Sequence, residues 1–244
     1  MSAKKLDYIL EELVTANRIL AREGIVDSFG HVSARHPDNP NHFLMSRARA
    51  PDCVEADDIL EFTLQGEEIN PGARKPYVER FIHGAILEAR PEIHSVVHNH
   101  SPSVIPFGVT KTTLKPLLHL AASIGFEVPL WDSRTKFGDT DILVSNVDMG
   151  RDLARSLNGN PTALLRGHGS VTVGTTIRQA VHVAVYLETG AKLQMQAMQM
   201  GEINFLTRGE VDKIIARTGP YTINRGWENW CRRAGRPMQP EWEG

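Results

Sequence analysis

The chain has 244 residues, a formal net charge of -2 and 41% hydrophobic content, with 27 Lys and Arg against 29 Asp and Glu. A chain of this size buries an ample core as one α/β domain, or at most two small ones. The near-neutral balance and the lack of a basic run give no electrostatic footprint for nucleic acid, so no nucleic-acid partner is expected.

In chain order, Leu6, Ile9, Leu10, Leu13, Ala16, Ile19 and Leu20 recur at helical spacing between Lys5 and Arg22, and Gly24 ends that helix. Asp7, Glu11 and Glu12 interrupt the N-terminal segment, which therefore does not read as a secretory signal. Gly30 to Arg35 alternates as a strand, 36–42 is a turn rich in Pro, Asn and Asp, and Phe43 to Ser46 is the return strand of a hairpin. Ile59 to Leu64 is a further strand. Val78 to Ala89 has the helical pattern, Ser95 to His100 reads as a strand, and residues 113–125 are expected to form a helix. A short strand at Val128 to Trp131 precedes a helix over Asp148 to Leu157. Ala163 to Arg166 and Ser170 to Val173 form a second hairpin, and a long helix runs from about Thr176 to Met200. Its Met195, Met198 and Met200 are expected in the core or in a subunit contact.

Irregular strands interleaved with helices imply an α/β sandwich with a mixed or largely antiparallel sheet, in one domain spanning 1–244. Residues 205–244 are expected as a C-terminal extension packing on that domain or on a neighbouring subunit. Within it, Trp227 and Trp230 leave two readings open: a cap over a neighbour's site, or ordinary packing. Neither G-x-G-x-x-G nor G-x-x-x-x-G-K-[ST] occurs, which argues against a nicotinamide enzyme or a P-loop NTPase. No apolar run approaches the ~18 residues of a membrane span. Cys53 and Cys231 are too few for a disulfide framework. A cytoplasmic protein with no membrane partner is the expectation.

The chemistry-bearing residues are histidines. His98 and His100 lie two apart at the end of an apolar strand, so both imidazoles emerge on one face. His168 follows another apolar strand, between Gly167 and Gly169, which allow close backbone approach. Two strand ends supplying three imidazoles make an open site of the catalytic kind. Glu79 begins the Val78–Ala89 helix, and a carboxylate there can reach a cation on the neighbouring strand end. Spacing alone favours the bland alternative, a solvated first-turn glutamate. His83, one turn along, is a candidate to support the ligands from behind.

Taken together, Glu79-Arg80-Phe81-Ile82-His83, Val96-Val97-His98-Asn99-His100 and Leu164-Leu165-Arg166-Gly167-His168-Gly169 resemble the class II aldolase/adducin family. The likeness runs from about residue 8 to residue 200. It implies a three-layer α/β/α sandwich around a mixed, mostly antiparallel sheet. It also implies one divalent metal ion per subunit on His98, His100 and His168, with Glu79 shuttling protons. Homotetramers with active sites at subunit interfaces follow from the same likeness. Manganese or zinc is the expected ion and ferrous iron an allowed one, since imidazole ligands suit all three.

Departures from the family's sugar-phosphate aldolases are informative. Their Gly-Asn, Thr-Gly and Ser-Ser pairs hold the substrate phosphate; here the corresponding positions read Gly30-His31, Ser46-Arg47-Ala48-Arg49 and Tyr77-Val78. Their proton-transferring tyrosine is replaced by Leu120, next to His119. Arg47, Arg49, His31 and Tyr77 suit a planar carboxylate, because guanidinium forks match carboxylates and pack on aromatic faces. A solvated basic loop is the bland alternative for the arginines. The pattern is similar to the family's decarboxylase branch, which acts on hydroxylated aromatic or pyridine dicarboxylates such as dihydroxyphthalates and 3-hydroxy-2-methylpyridine-4,5-dicarboxylate. The resemblance implies a metal-dependent carbon–carbon lyase for a small carboxylate substrate, with Glu79 and His119 as catalytic candidates. A retro-aldol enzyme and a non-catalytic adducin-like binding domain are the alternatives.

Overall fold

The computed structural model describes residues 2–240. Helix α1 (Ser2–Arg22) leads into strands β1 (His31–Arg35), β2 (His42–Ser46) and β3 (Ile59–Thr63). Helix α2 (Arg80–Ala89), strand β4 (Ser95–Asn99), the short helix α3 (Ile105–Val109), strand β5 (Leu130–Trp131) and helices α4 (Arg134–Phe137) and α5 (Val147–Leu157) follow. The hairpin β6 (Thr162–Leu165) and β7 (Gly169–Gly174) precedes the long helix α6 (Ile177–Met200), then α7 (Arg208–Arg217) and α8 (Pro220–Arg233). The strands form one seven-stranded sheet in the order β3-β2-β1-β4-β7-β6-β5. Among the described residues only β5–β6 is a parallel pair; the other pairs are antiparallel.

Alternation along the strands sorts side chains into two layers. Phe43, Met45, Phe62, Val96 and Val171 pack against Ile82 and Ile86 of α2 and Leu153 and Leu157 of α5. Val32, Ala34, Leu44 and Val97 face the other way, onto Leu13, Ile19 and Leu20 of α1, Val181 of α6 and Trp227 of α8. The result is a three-layer α/β/α sandwich. Each such aliphatic side chain contributes about 1.5–3 kcal/mol when fully buried. Helices α2 and α5 touch closely because Gly150 has no Cβ; one placed there would lie 2.4 Å from the Phe81 carbonyl oxygen. Asn146 and Thr176 cap α5 and α6 by accepting from the backbone N–H of Met149 and Gln179.

Three expectations need correction or narrowing. Residues 113–125 do not form a helix; only a 3₁₀ turn over Leu120–Ile124 is helical. Pro116 explains this, since it removes a donor and pushes Lys115 out of the α region. Of the two readings for Met195, Met198 and Met200, their exposure on the single chain removes the core and leaves the subunit contact. Helix α2 begins at Arg80, which leaves Glu79 as its capping residue, with a side chain that makes no cap hydrogen bond. In the C-terminal segment, Trp227 and Trp230 are buried against the chain's own α1 and α6 layer. Cys53 is exposed, Cys231 is buried, and neither forms a disulfide. Among the described residues, no helix is long and apolar enough to cross a membrane.

Candidate metal centre and active site

The cluster assembles where β4, the β6–β7 turn and the start of α2 meet. His98 lies on β4 and is fully buried. Its Nδ1 is 3.1 Å from the carbonyl oxygen of Ser170 on the adjacent strand β7. A carbonyl only accepts, so Nδ1 carries the proton and Nε2 offers a lone pair to the cluster. His168 repeats the arrangement, with Nδ1 3.0 Å from the carbonyl oxygen of Ile142. His100, one residue past β4, brings its Nε2 to 3.1 Å from His98 Nε2. Glu79 Oε1 accepts from the backbone N–H of Val144 at 3.1 Å, and its Oε2 lies 3.5 Å from Nε2 of both His98 and His168.

One ligand atom from each of Glu79, His98, His100 and His168 lies within 4.8 Å of the others. Burial drives the His98 imidazole well below its ordinary pKa, with His168, His31 and His100 adding to the effect. A dry pocket that turns neutral imidazole lone pairs and a carboxylate toward one point is costly without a positive charge there. Carbonyl partners on the outer nitrogens are the usual support for metal-ligating histidines. The donor set therefore fits a divalent cation. Burial also pushes the Glu79 carboxyl above the ordinary carboxylate value, opposed by His168 and the Val144 N–H.

Glycine makes the ligand geometry possible. A Cβ on Gly169 would sit 2.1 Å from the Asn99 carbonyl oxygen and 3.1 Å from His100 Cδ2, so only glycine lets the start of β7 lie this close to Asn99 and His100. The acceptor for His168 comes from Ile142, which holds φ at 60°, a left-handed conformation that β-branched residues rarely adopt. Ile142, Val144 and Ser170 act through backbone groups, and sequence reasoning missed all three. No residue type announces a backbone carbonyl or N–H, so the sequence held no signal for them.

Behind the cluster runs a buried hydrogen-bonded line. His31 Nδ1 and His83 Nε2 are 2.7 Å apart, and His83 Nδ1 is 2.7 Å from Ser33 Oγ. The His31 ring lies between Tyr77 and His98, with centroids 4.6 and 5.1 Å away. Desolvation holds His31 well below its ordinary pKa and His83 down to about 3, so both are neutral.

The remaining candidates are placed less directly. Tyr77 donates its hydroxyl hydrogen to the Arg49 carbonyl oxygen and accepts from the Arg49 N–H, which ties the 47–49 loop to the His31 wall. Arg47 and Arg49 each bind one oxygen of the buried Asp58, Arg47 Nε at 2.6 Å. Their guanidiniums thus face an internal carboxylate with part of their donor set, which is neither a free basic loop nor two free anchors. His119 is exposed at the start of the 3₁₀ turn, and its ring makes no hydrogen bond with the cluster.

This geometry can be set beside proteins already known. The family model for the class II aldolase and adducin N-terminal domain matches residues 11–195. The decarboxylase tropJ of Talaromyces stipitatus is 31% identical over 243 residues, covering 90% of this chain and 91% of that protein. A 3,4-dihydroxyphthalate decarboxylase of Arthrobacter keyseri is 30% identical, covering 91% of this chain and 92% of its own length. Among solved structures, the L-fuculose 1-phosphate aldolase from Glaciozyma antarctica PI12 superposes with a TM-score of 0.79 at 24% identity, covering 97% of this chain and 95% of that one. The chain belongs to the class II aldolase and adducin family, and its similarity to curated relatives lies with the family's decarboxylases.

Proposed function

We propose that the protein is a divalent-metal-dependent decarboxylase of a hydroxylated aromatic or heteroaromatic carboxylate. The single observation that carries this reading is the intact set of three converging imidazoles with Glu79, in a chain similar along nine-tenths of its length to decarboxylases. His98, His100 and His168 would hold the cation, manganese or zinc by preference. When bound, it supplies a Lewis acid that stabilises negative charge on a substrate oxygen.

Glu79 delivers the proton. One oxygen is fixed by the Val144 N–H, so Oε2 is the atom aimed at the reacting centre. Burial favours the protonated carboxyl that an acid catalyst needs. In the proposed reaction the Glu79 proton forms a C–H bond at the ring carbon bearing the carboxylate. The bond to the carboxylate carbon then breaks, CO2 departs, and its electron pair restores the aromatic ring. Glu79 is left as a carboxylate and regains its proton from solvent.

Arg47 and Arg49 retain N–H groups beyond those bound to Asp58, and these would anchor a second substrate carboxylate. Tyr77 and His31 would form the wall against which the ring lies. His119, on the surface of its own chain, would assist at the site of a neighbouring subunit in a homotetramer.

The test is metal analysis of the purified protein, followed by CO2 release from hydroxylated aromatic and pyridine dicarboxylates, 3,4-dihydroxyphthalate among them. Near-stoichiometric metal and CO2 with an intact ring are expected. A carbonyl fragment in place of CO2 would overturn the reading in favour of aldol cleavage. Absence of stoichiometric metal would leave a non-catalytic binding domain.

A further inference from the structure

On the polar face of the sheet, alternation turns His31 and Ser33 of β1 toward α2, where His83 spans the two. Ser33 and His83 are fully buried, and His31 is 2% exposed. Phe43 lies nearly parallel to the His83 ring, at 15°, and holds its plane. The line ends at His31 Nε2, which makes no hydrogen bond among the described residues and is not one of the nitrogens sealed from solvent. That ring lies 5.1 Å from His98 between centroids, and His100 and His168 are near enough to act on its charge. His31 nevertheless stands outside the group whose ligand atoms converge.

Counting hydrogens fixes which way the line runs. The one hydrogen bond of Ser33 Oγ among the described residues is with His83 Nδ1. A buried hydroxyl hydrogen needs an acceptor, so Ser33 donates and His83 keeps its proton on Nε2. Only one proton fits between His83 Nε2 and His31 Nδ1, 2.7 Å apart, so His31 accepts there and carries its own proton on Nε2. The carbonyl of Val96, which also acts on His83, favours the reverse order, but that order leaves the Ser33 hydroxyl hydrogen unpaired in a dry interior. His98 and His168 have the opposite tautomer, protonated on Nδ1 with Nε2 lone pairs turned to the cluster. A nitrogen that bears a proton cannot bind a cation, but it can donate to an anionic oxygen. We propose that His31 Nε2–H donates a hydrogen bond to the substrate oxygen that becomes negative beside the cation, and that Ser33 and His83 are positioning residues that hold the proton on that nitrogen. The tautomer follows from this chain's own hydrogen bonds; its use rests on the decarboxylase reading. With Tyr77 and His98 beside the ring, the Nε2 edge is what His31 offers to a substrate. A fixed donor aimed at developing charge favours the charged state without reorganising.

The test reads the tautomer first. In the full-length, ¹⁵N-histidine-labelled protein, long-range ¹⁵N–¹H correlations are assigned to His31 by their loss in His31→Gln. They should show the proton on Nε2, both metal-free and with zinc added. Ser33→Ala should release it, giving a mixture of tautomers at His31, a response that a merely structural role for Ser33 does not produce. A His31 proton on Nδ1 in the parent chain would overturn the proposal, and so would a Ser33→Ala spectrum identical to the parent at His31. No substrate is present in these spectra, so failure here and failure of the decarboxylase reading are distinguishable. In the zinc-loaded protein supplied with 3,4-dihydroxyphthalate, His31→Leu should lower kcat about 10²–10³-fold with zinc content unchanged, the range for one lost donor. His31→Gln, which keeps an N–H group, should recover part of that loss. Parent-level kcat in His31→Leu, or equal losses in the two variants, would overturn the donor role.

Discussion

The two faces of β1 and β4 are built from the same ten residues and do opposite work. Toward α2 the strands present His31, Ser33, Val96 and His98; toward α1 and α6 they present Val32, Ala34 and Val97. The register places His31 opposite His98, and Val32 opposite Val97. The polar face is therefore assembled by alternation alone, with the apolar face acting as its anchor. A slip of one residue would send every one of these side chains through the sheet. Chemistry on one face and adhesion on the other explain how a buried cluster this polar is held in position.

The largest break in that comparison comes from emptying the polar face. His98→Ala should remove the bound cation and lower turnover by ~10³-fold or more, since the cation contributes several kcal/mol and each 1.36 kcal/mol is a factor of ten. Glu79→Gln should keep the metal and lower kcat by about 10²–10⁴-fold, the range for a lost proton donor. Metal content and turnover measured on one preparation check both. A metal-free Glu79→Gln protein would make Glu79 a structural ligand and not the proton donor.

How much of this was legible follows from the same alternation. The period-two pattern of Ser95 to His100, and of Gly30 to Arg35, gives the strands and puts His98 and His100 on one side. His168 stands out among the candidates by its place between two glycines, whereas Glu79 ahead of an apolar helix is an ordinary placement, and only the resemblance to the family marks it. The helix expected over 113–125 failed because its apolar spacing ignored Pro116. Asp58, which claims Arg47 and Arg49, was not legible either. Its partnership depends on how the 56–58 turn folds back on the preceding loop, a tertiary matter that spacing along the chain does not encode.

On the apolar face, the pair Glu12–Arg178 joins α1 to α6 at 2.6 Å and is nearly inaccessible to water. Arg178→Ala leaves a buried carboxylate without its cation and should cost about 3–5 kcal/mol in urea unfolding. A loss below ~1 kcal/mol would mean that water or Tyr8 replaces the guanidinium, and that the adhesive face does not rely on this pair. On the polar face, His83→Leu strands His31 Nδ1 and Ser33 Oγ in a dry interior. It should cost about 1–3 kcal/mol for each group left unpaired. An unchanged midpoint would show that His31 finds another partner.

The finest discrimination between the faces is in their response to acid. Burial lowers His83 to about 3 and His182 to about 4, against an ordinary value of 6.5. Each is neutral in the folded chain and takes up a proton on unfolding below pH 6.5, so stability is complete above that pH and falls as pH drops toward those values. Each group adds about 1.4 kcal/mol per pH unit to the slope over that window. Replacing either by leucine should flatten the slope by that amount relative to the parent chain between pH 6 and pH 4.5. At pH 7.5 the two variants should part. His83→Leu abandons two hydrogen-bonding neighbours and loses stability, whereas His182→Leu abandons none, deletes two unpartnered nitrogens, and should hold or gain stability. Unfolding curves for the two variants at both pH values separate a histidine held by hydrogen bonds from one held by packing alone. Parallel slopes in parent and variant would mean that these imidazoles reach water in the folded state.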